Sequence, residues 1–133
     1  IFPGNIYKLG DFSEAKIIQN IDNKITLRGS ELYMSPILYH NYKIKNPKVI
    51  HDVYKSDVFS LGFSILFTIC LNIRVLEDIR ELNNMEKIIK IIDKYFNRKI
   101  YSNKLYNLVL GMIELDENKR YNFENIYNLL QNW

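Results

Sequence analysis

One stretch limits what this chain can fold into: Lys55-Ser-Asp-Val-Phe-Ser-Leu-Gly-Phe-Ser-Ile-Leu-Phe-Thr-Ile-Cys-Leu71. Its apolar residues point in almost every direction around a helix, and such a helix is buried on most sides. Its polar residues Ser60, Ser64 and Thr68 recur every fourth position and form one narrow stripe. Ser56 and Asp57 supply N-capping chemistry at its start. The apolar run falls short of the roughly 18 residues that suggest a membrane span. The reading is a central helix in a mainly α globular core, with the other elements packed on it.

Composition supports a core of that kind. The chain has 133 residues, 47% of them hydrophobic and 25% charged, so it holds one domain or part of one. A net charge of +3 with scattered lysines and no basic stripe gives no reason to invoke nucleic acid. Cys70 is the one cysteine, which excludes an internal disulfide framework. It is expected to be a buried, inert thiol in a reducing, intracellular and cytoplasmic setting. The opening Ile-Phe-Pro-Gly-Asn carries no initiator Met, and the chain is expected to be a fragment.

Ahead of the central helix the pattern is sparse. Ile6–Leu9 alternates apolar and polar residues and suits a short strand. Residues 14–28 have no clear period and read as a long loop, with a short strand around Ile25–Leu27. Pro36, with Ser35 before it, starts a short helix to about Asn41, and 41–52 reads as loop. His40 and His51 are expected on the solvated surface. Beyond the central helix, 72–84 is ambiguous, with a helical turn around Glu77–Leu82. Met85–Phe96 has good helical period. Ser102 or Asn103 caps a helix with Leu105, Leu108, Val109, Met112 and Ile113 inward. Asn122 caps a last helix carrying Phe123, Ile126, Tyr127, Leu129 and Leu130.

Four motifs occur in a fixed order: Lys8-Leu-Gly-Asp-Phe-Ser13, Gly29-Ser-Glu-Leu-Tyr-Met-Ser-Pro36, Tyr54-Lys-Ser-Asp-Val-Phe-Ser-Leu-Gly62 and Leu115-Asp-Glu-Asn-Lys-Arg120. Each alone is weak. Together they resemble the C-terminal lobe of a eukaryotic protein kinase of the Ser/Thr type, from just before its Asp-Phe-Gly motif to the end of the domain. The resemblance spans residues 1–133. It implies ATP and Mg²⁺ as cofactors and a protein substrate, and leaves room for a regulatory protein.

By that resemblance, Asp11 is the metal-binding aspartate and Phe12 the aromatic beside it in the nucleotide site. A carboxylate is a hard ligand suited to a hard cation. Ser13 departs from the motif glycine and makes positive φ less accessible. Thr26 lies where an activating phosphothreonine is carried in many kinases. Gly29, Ser30 and Tyr33 match the substrate-positioning loop. Asp57 matches the aspartate that anchors the catalytic loop, and Arg120 the arginine that pairs with the glutamate of Ala-Pro-Glu. Ile37 stands in that glutamate's place and cannot accept a hydrogen bond. Arg120 is therefore expected either to be partly exposed or to pair with a carboxylate such as Asp116. The catalytic loop and the ATP-clasping lobe match nothing here, so these residues include no catalytic base. Two functions compete: a part of an active Ser/Thr kinase, or a pseudokinase or protein-binding module using the same fold.

Overall fold

The computed structural model describes residues 8, 10–13, 15, 24–26 and 29–133, with 24–26 described by backbone alone. Strand β1 (Lys24–Thr26) pairs antiparallel with β2 (Lys48–Ile50), Ile25 opposite Val49. Among the described residues six helices follow or interleave: α1 (Pro36–Lys43), α2 (Val53–Cys70), α3 (Ile73–Arg80), α4 (Met85–Tyr95), α5 (Asn103–Met112) and α6 (Phe123–Gln131). A 3₁₀ turn, Glu31–Tyr33, precedes α1. The architecture is mainly helical, as expected. The strand expected at Ile6–Leu9 lies outside the described residues. The strand expected near Ile25–Leu27 is β1.

Helix α2 is the centre. It packs against α3, α5, α6 and the 3₁₀ turn. Phe59, Phe63 and Leu66 enter one core with Val75, Leu76 and Ile79 of α3, Ile88 and Ile92 of α4, and Val109 and Ile113. The Phe59 and Phe63 rings stack with centroids 4.6 Å apart. Val58 enters a second cluster with Leu108, Met112 and Ile126. At Gly62, α2 closely approaches the C-terminal end of α5. A Cβ there would lie 2.8 Å from both Ile113 Cγ2 and Met112 Cβ.

Two details of α2 correct the expectations from sequence. The helix begins at Val53, and its cap is Asp52, whose side chain accepts from the Lys55 amide at 3.0 Å. Ser56 and Asp57 lie inside the helix instead. The helix is also not buried all round: Asp57, Leu61, Ser64 and Thr68 form an exposed stripe. Ser64 and Thr68 return their hydroxyls to carbonyls four residues back, which satisfies them without a tertiary partner. With 18 residues and a mean hydropathy of 1.3, α2 is long and apolar enough to cross a membrane by length and composition, contrary to the run length counted from sequence. Its packing in two helical clusters accounts for that apolarity without a membrane.

The remaining helices follow their caps. Asn72, Asn84 and Ser102 each accept a backbone N–H at the start of α3, α4 and α5. Asn122 and Asn125 form a reciprocal capping box on α6. Of the apolar residues named on α6, only Ile126 is buried. His51, expected in solvent, is buried, with Nδ1 3.3 Å from the Val49 carbonyl. It is enclosed because 48–50 is a strand and not the loop expected there. Cys70 is half-buried, and burial raises its thiol pKa.

Candidate functional site

The chain segment from Tyr33 to Pro36 is fastened to α2. Ser60 Oγ donates to the Tyr33 carbonyl at 2.7 Å and to the Ser56 carbonyl at 3.1 Å. The Ser35 and Ser56 hydroxyls share a hydrogen bond of 2.9 Å, and both residues are buried. Met34, in the same segment, is buried as well. Ser35 occupies the N-cap of α1, but its hydroxyl goes to Ser56 and not to an α1 amide. A hydroxyl pair removed from water needs a mutual partner, and this one ties two elements together. Gly29 lies upstream at φ +107°, a conformation that suits glycine. Ser30 is exposed and its carbonyl accepts from the Tyr33 amide.

Arg120 braces the start of α2. It is 2% exposed. Nε donates to the Glu114 carbonyl at 2.7 Å, Nη2 to Leu115 at 3.2 Å and Nη1 to Lys55 at 3.3 Å. The guanidinium also lies 5.0 Å from the Phe59 ring centroid. Neither expected alternative holds: Arg120 is not exposed, and its hydrogen bonds go to backbone carbonyls instead of Asp116. The Asp116 carboxylate pairs with Lys119 at 3.8 Å. A planar guanidinium with five donors can serve three carbonyls at once, so the missing glutamate at Ile37 leaves no broken pair. Burial lowers the Arg120 pKa, opposed by Glu117, Glu114, Asp116 and Asp52. The bond to the Lys55 carbonyl joins the 114–120 loop to α2. Lys55 Nζ reinforces it by donating to the Glu117 carbonyl at 2.8 Å.

Asp57 sits on the exposed stripe of α2. Among the described residues its carboxylate has no hydrogen-bond partner. Burial raises its pKa, and the charge of His51 opposes that. Asp11 is exposed, at φ +58°, and accepts from Ser13 Oγ at 2.7 Å. Phe12 is 62% exposed. The structure thus mounts Tyr33, Ser35, Ser56, Ser60 and Arg120 on α2, and none of these bonds reaches Asp11 or Phe12. For Thr26 only the backbone, in β1, is described. Among the described residues no cluster of three His, Cys, Asp or Glu could hold a metal ion. Asp11 can offer one hard oxygen, and Mg²⁺ commonly takes one or two carboxylates with water and phosphate completing its shell.

Sequence reasoning missed Arg80. It ends α3, inside the stretch read as ambiguous. Its Nε and Nη2 are enclosed and donate to nothing among the described residues. The guanidinium lies 4.0 Å from the Tyr39 ring centroid. Burial lowers its pKa to about 10, against the opposing Tyr39, Glu31 and Glu81.

The chain is 30% identical over 128 residues to the serine/threonine-protein kinase ATG1 of Kluyveromyces lactis, covering 92% of this chain and 14% of that protein. It is 28% identical over 130 residues to the serine/threonine-protein kinase atg1 of Dictyostelium discoideum, covering 92% of this chain and 17% of the relative. The chain therefore spans about a sixth or less of the length of these curated relatives. No family model and no solved structure matches it.

Proposed function

We propose, from the premise that this chain is homologous to serine/threonine protein kinases, that residues 1–133 are part of a kinase domain. The longer protein would transfer the ATP γ-phosphoryl group to Ser or Thr hydroxyls of a protein substrate, in an intracellular, cytoplasmic setting. The observation that carries this reading is the fastening of residues 33–36 to α2 by Ser60 and by the Ser35–Ser56 pair. A substrate-positioning segment contributes to phosphoryl transfer by holding the acceptor in line, and it can do so only from a rigid mount.

Within this reading Asp11 would hold Mg²⁺, which bridges ATP phosphates and neutralises their charge when bound. Phe12 would pack beside the nucleotide site. Gly29, Ser30 and Tyr33 would position the substrate. Thr26 would be the activating phosphosite, its phosphate ordering the segment through arginines. Asp57 would anchor the catalytic loop by accepting backbone N–H groups at its exposed carboxylate. The catalytic base would come from outside these residues.

A second reading, a pseudokinase or binding module, is favoured by the Ser13 hydroxyl occupying one oxygen of Asp11. Nucleotide binding separates the two. Magnesium-dependent ATP affinity of the longer protein should fall ~10-fold or more with Asp11→Ala, since a charge-assisted metal contact contributes on that scale. ATP affinity indifferent to Mg²⁺ and to Asp11→Ala would favour the binding module.

A further inference from the structure

Ser13 stands two residues after Asp11, where the kinase motif has glycine. Its hydroxyl donates to Asp11 Oδ1 at 2.7 Å. Glycine has no group that could do this. Both residues are exposed, so water competes for each partner and the bond adds little to the stability of the fold. Its consequence is for the direction of the carboxylate.

The backbone brings the two side chains together. Asp11 lies at φ +58°, in the left-handed region. Few residues other than glycine enter it, and Asp is among them because its short polar side chain bonds locally. The Ala15 amide donates to the Phe12 carbonyl at 3.0 Å and closes a turn over Ser13. The turn sets where the Ser13 hydroxyl lies, and the hydroxyl restrains the Asp11 carboxylate.

Two opposed effects on a cation follow. Donation to Oδ1 draws some charge from the carboxylate, which weakens a metal contact. Restraint of an exposed side chain removes rotamer freedom before the metal arrives, which strengthens it. The hydroxyl is neutral and cancels no charge, and Oδ2 keeps its own lone pairs. Loss of a hydrogen-bonding group behind a metal ligand typically lowers metal affinity about 10–100-fold, so restraint is the larger effect.

We propose that Ser13 is a positioning residue for Asp11: its hydroxyl holds Oδ1 and leaves Oδ2 to accept the divalent cation that accompanies ATP. The proposal rests on the kinase reading of Asp11. It goes beyond that reading by giving a role to the residue that departs from the motif.

The test measures ATP binding to the longer protein by calorimetry, with Mg²⁺ and with no divalent ion. Ser13→Ala should weaken Mg²⁺-ATP binding ~5-fold, just below the usual range because the pair is exposed. Ser13→Thr keeps the hydroxyl and should stay within ~2-fold of the parent. Without a divalent ion neither substitution should move ATP affinity, whereas a general loss of structure would. A hydroxyl that blocks Asp11 predicts the reverse, and Mg²⁺-ATP binding tightened or unchanged by Ser13→Ala would overturn the proposal. So would an equal loss with and without Mg²⁺, or a loss that Ser13→Thr shares. Each of those results leaves the kinase reading standing where Asp11→Ala still removes the magnesium dependence. Magnesium dependence absent from the parent, or untouched by Asp11→Ala, overturns that reading and this proposal together.

Discussion

Buried Arg120 and half-buried Arg80 both approach Phe59, and they show how little residue type says about energetic role. Arg120 gives its donors to three carbonyls, and Arg80 leaves two without partners among the described residues. Arg120→Met should therefore cost ~3 kcal/mol in urea unfolding, because it strands buried carbonyls and removes charge-assisted bonds. Arg80→Met should stay within ~1 kcal/mol of the parent, since relief of the unpaired donors offsets the loss of attraction to the Tyr39 ring. Asp57 makes a third case. Its pKa is raised in the fold, so folding favours the protonated form, and its charge opposes folding above that pKa. The penalty fades as pH falls through it. Asp57→Asn should then stabilise the chain at pH 7 on the order of 0.5 kcal/mol, the exposed position keeping the effect small. The gain should shrink as the pH is lowered through the carboxylate range in paired urea titrations. From sequence, Arg120 was legible as a structural arginine, because it closes a motif. Its partners were not, since carbonyls carry no residue signature. Arg80 had no signal at all, because its state depends on a cavity built by four elements.

At the scale of elements, close approach outweighs propensity. Gly62→Ala adds a methyl group where Ile113 Cγ2 and Met112 Cβ already stand at 2.8 Å. It should lower stability by ~1–3 kcal/mol despite the helix-forming gain of alanine, which a thermal melt would show as a fall in Tm. Helices α4, α5 and α6 were legible because their caps and apolar periods agree. Helix α3 was obscured because it is short and its Asn72 cap follows α2 directly. Strand β2 was hidden because three residues acquire strand character only from a partner strand remote in sequence. The start of α2 was misplaced because Asp52, Ser56 and Asp57 all have capping chemistry, and only the fold shows which amide is served.

For the whole molecule, α2 works as the beam on which the 33–36 segment, the 114–120 loop and three other helices are mounted. Its exposed Leu61, together with Leu71, Ile73, Tyr127 and Trp133, leaves large apolar side chains in solvent. The isolated chain should self-associate as concentration rises, and light scattering would report growing mass. Monodisperse behaviour at high concentration would contradict this. The mainly helical fold around one apolar helix was legible as a whole, since hydrophobic pattern alone specifies it. Activity is not legible in that way, because the roles proposed for Asp11 and the 33–36 segment depend on groups outside these residues. The decisive measurement is transfer of labelled γ-phosphate from Mg²⁺-ATP to a protein substrate by the longer protein, followed by identification of the labelled amino acid. Label on serine or threonine that falls at least ~100-fold with Asp11→Ala is the result expected of a kinase using this chain. Label undiminished by Asp11→Ala, or no transfer by a longer protein with an intact catalytic loop, would contradict it.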